Sequence, residues 1–453
     1  MEIILAIAAL AGLIWGMILL ARGGLLAGCM AVLLAGCCLG HPFFHLPAGP
    51  IPLTLDRVLW VGLLGAYVFW RRQSWSAGRS PGRTEWVLVG FFLVLLASTL
   101  LHDWRRDGNA PVAHLVFFYL MPLAIYWVAC DSWLSQRSLC AVLLGLMLFA
   151  VYLAVTAVAE ANAQWWAVFP KYIANPAHAE FFGRGRGPFL NPVACGYYQA
   201  VGLFAAMLLW PRAGRWGRTM LLGVFLVLGL GIYSTLTRSV WMGAALGAMI
   251  VVLLRVPQRW RAPLAGGVLL LGAIVAGTQW DRMMAFKRDR ALSAQETAES
   301  VRLRPILARV AWNMFCDRPL FGCGYGQYPT AQLDYLSDRS TDLPLSKARP
   351  YAQHNVFLAL LTETGLVGMG LYVVLLGLWI QSAWRLWRND TAGEEVRVQG
   401  LLFLAMMGYY LANAMFQDLS LMPQANMLLF FLAGVTEGAQ AQFDSLSTSS
   451  DRS

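Results

Sequence analysis

The 453-residue sequence predicts an all-α polytopic membrane protein with 12–13 transmembrane helices and one long, partly helical loop outside the membrane. Three observations predict it. Hydrophobic residues make up 58% of the chain and charged residues 13%, with a mean hydropathy of +0.57, whereas soluble domains are about half apolar. Runs of roughly 17–25 apolar residues, enough to cross about 30 Å of hydrocarbon at 1.5 Å per residue, recur along nearly the whole length. Arginines gather in alternate connections between those runs, which is the pattern that orients membrane helices.

The first run, Ile3 to Leu20, follows Glu2 rather than a basic leader and has no small-residue cleavage pattern, so it reads as a retained span and not a signal peptide. Further spans are read at 24–40, 55–70, 86–101, 112–130, 139–159, 193–210, 219–236, 239–254, 263–279, 356–381, 399–416 and 424–438. Arg71, Arg72, Arg79 and Arg83 fill one connection; Arg212, Arg215 and Arg218, then Arg255, Arg259 and Arg261, then Arg385, Arg388 and Arg397 fill three more. These can all be cytoplasmic at once, with the loop of Arg105 and Arg106 a mild exception.

That parity divides the chain into four parts. Residues 1–279 form an N-terminal membrane region with an outer loop at about 160–192, and residues 280–353 form the long outer loop. Residues 354–438 form the C-terminal membrane helices and 439–453 a polar cytoplasmic tail. A connection as long as 280–353 is a functional element rather than a plain link. It opens basic, carries a helical pattern from Pro305 to Phe315, and breaks at "DRPLFGCGYGQY".

The net charge of +10 rests on arginine, since Lys171, Lys287 and Lys347 are the only lysines. Six of the eight cysteines lie in or beside apolar runs and behave as small hydrophobes. Cys316 and Cys323 share the polar loop, where separately held thiols are the plainer expectation than a disulfide. No Walker-type phosphate loop and no metal-ligand spacing of His, Cys, Asp or Glu is seen, so neither a cofactor nor a metal is expected. Nothing points to nucleic acid.

Four stretches carry chemistry. In "QHNVFLALLTETGLVGMG", His354 precedes a span, where a neutral imidazole near neutral pH can accept a proton; capping of the helix, with Asn355 beside it, is the plainer alternative. Helical spacing sets His354, Leu358, Leu361, Gly365, Gly368 and Tyr372 on one face, and Glu363 on roughly the opposite one. An intramembrane carboxylate such as Glu363 is a functional candidate, with an arginine partner on another helix equally open. In "STLTRSVW", Arg238 interrupts an apolar hairpin and reads as a phosphate fork or a snorkelling side chain. In "FFGRGRGPFLNP", Arg184 and Arg186 alternate with glycines and lead to Asn191 at a helix start, a cradle for an anion or a flexible loop. In "VRLRPILARVAWNMFCDRPLFGCGYGQY", Arg302 and Arg304 precede a short helix, and Gly324 is the centre of a glycine-rich turn.

In this order, "GRGPFLNP", "TLTRSVW", "RPILARVAWNMFCDRPLFGCGYG" and "HNVFLALLTETGLVG" resemble the O-antigen ligase and polymerase superfamily of bacterial envelope glycosyltransferases, over roughly Arg184 to Leu432. The resemblance implies a C-type glycosyltransferase-like membrane fold in the inner membrane with a periplasmic active site. It implies an undecaprenyl-pyrophosphate-linked glycan as donor and lipid A-core, or another lipid-linked glycan, as acceptor, among membrane lipids. It also implies catalytic roles for His354, Arg238 and Arg304 and matches Arg186 and Asn191 to its upstream motif, while Arg184, Arg302, Asn355, Glu363 and Gly324 join Arg186 and Asn191 as candidates for binding substrate from their own stretches. Thr237 stands where the family usually has Ser, and Cys323 where an aliphatic residue is usual.

Overall fold

The computed structural model describes residues 2–46, 53–76, 78–105, 110–267, 270, 277–278, 294–338 and 340–450. Among these the only sheet is a two-residue antiparallel pair, His45–Leu46 against Leu53–Thr54; the rest of the regular structure is helical. The long helices are α1 (Glu2–Cys38), α2 (Leu55–Arg72), α3 (Arg83–Leu100), α4 (Pro111–Cys130), α5 (Gln136–Ala161), α6 (Pro192–Leu209), α7 (Arg215–Ser234) and α8 (Arg238–Arg255). After them come α9 (Ala294–Asp317), α10 (Val356–Arg388), α11 (Glu394–Ala414) and α12 (Pro423–Ser450).

Among the described residues, eight helices are long and apolar enough to cross a membrane, so the chain is an all-α, multi-pass membrane protein. The other expected spans do not all drop out: α2, α11 and α12 lie at three of them, at lower hydropathy. In α2, α11 and α12, charged and amide side chains (Asp56 and Arg57; Gln399 and Asn413; Asn426 and Glu437) dilute the apolar run, and the expected span at 263–279 falls largely outside the described residues. The two N-terminal runs form one helix broken at Gly24, whose φ of 70° only glycine adopts easily.

The bundle is centred on α6, most of which is buried and which packs against α5, α8 and α11. Small residues set the contacts: a Cβ on Gly202 would collide with Ala150 of α5, and one on Gly247 with Phe204 of α6. Close helix approach through such residues replaces the hydrophobic drive that lipid cannot supply. Tyr197 of α6 stacks on Tyr409 of α11 with ring centroids 5.0 Å apart.

Two expectations change. The helix of the long loop begins at Ala294, well before Pro305, which lies inside α9; the basic opening of that loop, 279–293, lies outside the described residues. The tail at 439–453 is not a free polar segment at its start. The helix α12 runs on to Ser450, Ala439 is buried, and Gln442 accepts from the Leu134 amide (3.2 Å) and donates to the Ser132 carbonyl (2.8 Å). All eight cysteines are free, Cys316 exposed and Cys323 buried.

The arginine-rich connections meet at one end. Arg212 lies 3.7 Å from both Glu394 and Glu395, and Arg255 is close enough to Glu394, Arg212 and Arg397 to feel their charges. Arg238 and His354 stand at the opposite ends of α8 and α10 from Arg255 and Arg388. They therefore share the far end of the bundle.

Candidate active site

Three helices at that far end start in the same way. Leu190 (φ 53°), Leu236 (φ 50°) and His354 (φ 51°) each adopt the left-handed conformation, and each is followed by an N-cap residue, Asn191, Thr237 or Asn355, and then by the helix. For a residue with a Cβ this costs about 1–2 kcal/mol. Strain held at three motif positions is what functional sites retain. The caps differ in detail. Asn191 accepts from the amides of Val193 (2.8 Å) and Ala194 (3.2 Å), and Asn355 from those of Phe357 (2.9 Å) and Leu358 (3.0 Å). The Thr237 hydroxyl instead donates to the Thr235 carbonyl (2.9 Å) and accepts from Arg184.

The starts of α6 and α8 are tied together. The Gly185 amide donates to the Ser234 carbonyl (2.8 Å), and the Arg184 guanidinium donates to the Thr235 carbonyl through Nε (3.2 Å) and Nη2 (3.1 Å). The 181–191 loop is thus fastened to the turn that presents Arg238. One turn into each helix, a Cβ on Gly196 would meet Val240, so the starts of α6 and α8 lie side by side. A Cβ on Gly243 would meet Asn413 and Tyr409, which puts the first turns of α8 against the end of α11.

The turn after α11 collects the remaining motif residues. Met415 accepts from Asn355 Nδ2 (3.1 Å) and Phe416 from Arg304 Nη1 (2.9 Å), while the Arg304 guanidinium lies 5.5 Å from the Phe416 ring centroid. Two adjacent carbonyls therefore fix the His354–Asn355 segment and Arg304 relative to each other. His354 is half-buried. Burial, and then the positive charge of Arg304, push its imidazole below its ordinary pKa, so near neutral pH it holds no extra proton and can accept one. Arg304 is itself lowered by burial, yet a guanidinium stays charged.

The helix behind His354 is not continuous. Gly365 has φ 65° and ψ −162°, and the carbonyls freed by the break accept from the glycine-rich turn: Thr362 from Cys323 (2.9 Å) and Glu363 from Gly324 (3.0 Å). In return Pro319 and Leu320 accept from Leu366 (2.8 Å) and Val367 (3.2 Å). A Cβ on Gly365 would lie 2.3 Å from Leu320 backbone, and one on Gly324 2.6 Å from the His102 ring. The single face expected from His354 to Tyr372 is therefore interrupted, because the chain leaves helical geometry at Gly365 and His354 itself precedes the helix. Gly324 serves this backbone docking. The Glu363 carboxylate accepts from the Gly326 amide (3.1 Å), and among the described residues it pairs with no arginine.

The outer arginines also do something other than expected. Arg186 is fully buried: Nε donates to Glu160 Oε1 (2.7 Å), Nη1 to the carbonyls of His178 (2.6 Å) and Glu180 (2.7 Å), and Nη2 to that of Ile173 (2.9 Å). Glu160 Oε2 accepts from the amides of Arg186 (2.8 Å) and Gly187 (2.9 Å). This guanidinium is committed to folding the loop, not to an open phosphate fork. Arg184 is likewise buried against the turn it holds. Arg302 lies on α9, its side chain outside what is described.

Sequence reasoning missed Glu160, the Met415–Phe416 turn, and Asp418, the second carboxylate of the cavity that Glu363 lines. A carboxylate ending an apolar run two dozen residues before a buried arginine was the available signal for Glu160. The turn acts through carbonyls, which no residue type announces.

Residues 222–373, about a third of the chain, match the family model described as O-Antigen ligase. That stretch holds Arg238, Arg302, Arg304, Gly324, His354, Asn355 and Glu363, and leaves out Arg184, Arg186 and Asn191. No curated protein matches the chain. The match supports an O-antigen ligase-like family, with ligase or related polymerase activity on lipid-linked glycans in general.

Proposed function

We propose that this O-antigen ligase-like membrane protein moves an O-antigen-type glycan from undecaprenyl pyrophosphate to a hydroxyl of lipid A-core, at the periplasmic face of the bacterial inner membrane. The observation that carries the reading is the seating of Asn355, next to His354, and of Arg304 on adjacent carbonyls of one turn, beside the helix that Arg238 opens. The arginine-rich connections at the other end of the bundle support a cytoplasmic assignment for that end.

In this reading His354 takes the proton of the acceptor hydroxyl as its oxygen attacks the anomeric carbon. The bond from that carbon to the diphosphate oxygen breaks, undecaprenyl pyrophosphate leaves with the electron pair, and the anomeric configuration inverts. Charge grows on the diphosphate as it leaves, and Arg238 and Arg304 stabilise it without a metal, as fixed cations in a half-dry site do best. The starts of α6 and α8 add their partial positive charge. Arg186 and Arg184 contribute by building the loop that holds Arg238 in place, and Asn191 and Asn355 by capping.

Supplying purified protein with donor alone and with donor plus lipid A-core tests the reading. A new glycosidic bond only when both are present supports ligation. Elongated lipid-linked chains from donor alone would assign the same chemistry to a polymerase. Translocation of the lipid-linked glycan with no new bond would make the protein a carrier and overturn the proposal.

A further inference from the structure

Behind His354 lies a cavity of about 90 Å³, walled by Tyr325, Tyr328, Gln353, Glu363, Asp418 and His114 among others. Its chemistry differs from that of the arginine site. No lysine or arginine lines it, while two carboxylates do. Tyr325 and Tyr328 are 3% and 1% exposed, and their hydroxyls have no hydrogen-bond partner among the described residues. Buried hydroxyls left unmatched are costly, at about 1–3 kcal/mol each, and call for an explanation.

The carboxylates are held in place at the wall. Glu363 Oε2 accepts from the Gly326 amide, and Asp418 Oδ1 accepts from the Ser420 amide (3.1 Å) and hydroxyl, so backbone and hydroxyl donors, not cations, hold both carboxylates at the cavity wall. Gln353 Nε2 donates to the Thr362 hydroxyl (2.9 Å), so this wall is fixed one residue from His354. A diphosphate would find no cation in such a lining. No group of three or more His, Cys, Asp or Glu suited to a metal ion occurs among the described residues. What remains is a neutral molecule rich in hydroxyl donors, with C–H faces for tyrosine rings.

We propose that this cavity is the subsite for a neutral sugar ring of the acceptor, with Glu363 and Asp418 accepting from its hydroxyls and Tyr325 and Tyr328 pairing with the rest. It rests on the glycosyl-transfer reading and assigns the two substrates to separate chemistry, the diphosphate to the arginines and the acceptor sugar to the carboxylates.

The test uses the full chain in lipid nanodiscs, since maltoside detergents are themselves sugars. Saturation-transfer NMR with methyl glucoside and methyl galactoside is run on wild type, His354→Ala, Asp418→Asn, and Tyr325→Phe with Tyr328→Phe. Wild type and His354→Ala are expected to bind alike, and the other variants to lose most of the signal. The Tyr→Phe pair removes hydroxyls that bond nothing among the described residues, so it is expected to unfold no earlier than wild type, which separates lost binding from lost folding. In transfer assays the acceptor KM rises about tenfold in those variants while the donor KM holds. Absence of sugar binding in wild type, or binding and acceptor KM unchanged in the cavity variants, overturns the proposal. Sugar binding without any transfer in wild type would instead sink the glycosyltransferase reading and leave the subsite standing.

Discussion

Replacing Arg186 with Met separates a structural arginine from a phosphate-binding one. The substitution keeps the bulk of the side chain but leaves Glu160, whose side chain is fully buried, without its cation, and leaves the carbonyls of His178, Glu180 and Ile173 without the guanidinium. Breaking a buried pair by removing one partner costs about 3–5 kcal/mol. Two amide donors still reach Glu160, so the lower half of that range is expected. Against a total of about 5–15 kcal/mol this is a large loss. Unfolding of the detergent-solubilised protein, followed by tryptophan fluorescence, gives the difference, and the double variant with Glu160→Gln should lose less than the two single losses added together. Stability within about 0.5 kcal/mol of wild type, with a raised donor KM, would refute the structural role and restore Arg186 to the phosphate site.

Other expectations concern the broken helix, the imidazole and its cap. Gly365→Ala should abolish folded, membrane-inserted protein, because both its φ and a 2.3 Å approach to backbone forbid a Cβ, whereas Gly370→Ala, in open space, should be tolerated; equal yields would contradict the docking described. Transfer should fail as pH falls through the pKa of His354, which burial and Arg304 hold below 6.5. In Arg304→Gln the missing cation lets the imidazole protonate more readily, so the acid limb of whatever rate remains should move to higher pH; a limb that stays put would detach Arg304 from His354. Asn355→Ala removes the cap of α10 and the link to Met415, and should cost about 1 kcal/mol in unfolding measurements together with a fall in kcat. A fall in stability alone would leave Asn355 as a cap with no part in placing His354.

Much of the fold could be read from the residues because lipid imposes a simple code of apolar run and basic connection, and the helices α3 to α8 start and stop within a few residues of the expected spans. The code is weaker, but still legible, where polar groups are buried inside the protein. Gln399, Asn413 and Glu437 lower the hydropathy of helices that nonetheless pack in the core. At the site, His354, Arg238 and Arg304 stood out as charges at the ends of apolar runs, and the structure brings them to one end of the bundle. Arg186 stood out for the same reason, but residue type cannot tell an arginine facing a substrate from one whose donors are consumed by Glu160 and three carbonyls. The break at Gly365 was hidden too. A glycine in an apolar stripe reads equally as a helix contact, and only the crossing chain at Leu320 shows that it turns the backbone.

The most direct measurement is transfer by purified, correctly inserted protein given a lipid diphosphate donor and its acceptor, comparing wild type with His354→Ala. The account predicts a new glycosidic bond of inverted anomeric configuration with wild type, and a loss of about 10²–10⁴-fold in kcat with the variant. Turnover by His354→Ala within about twofold of wild type would contradict it, and so would retention of configuration in the wild-type product.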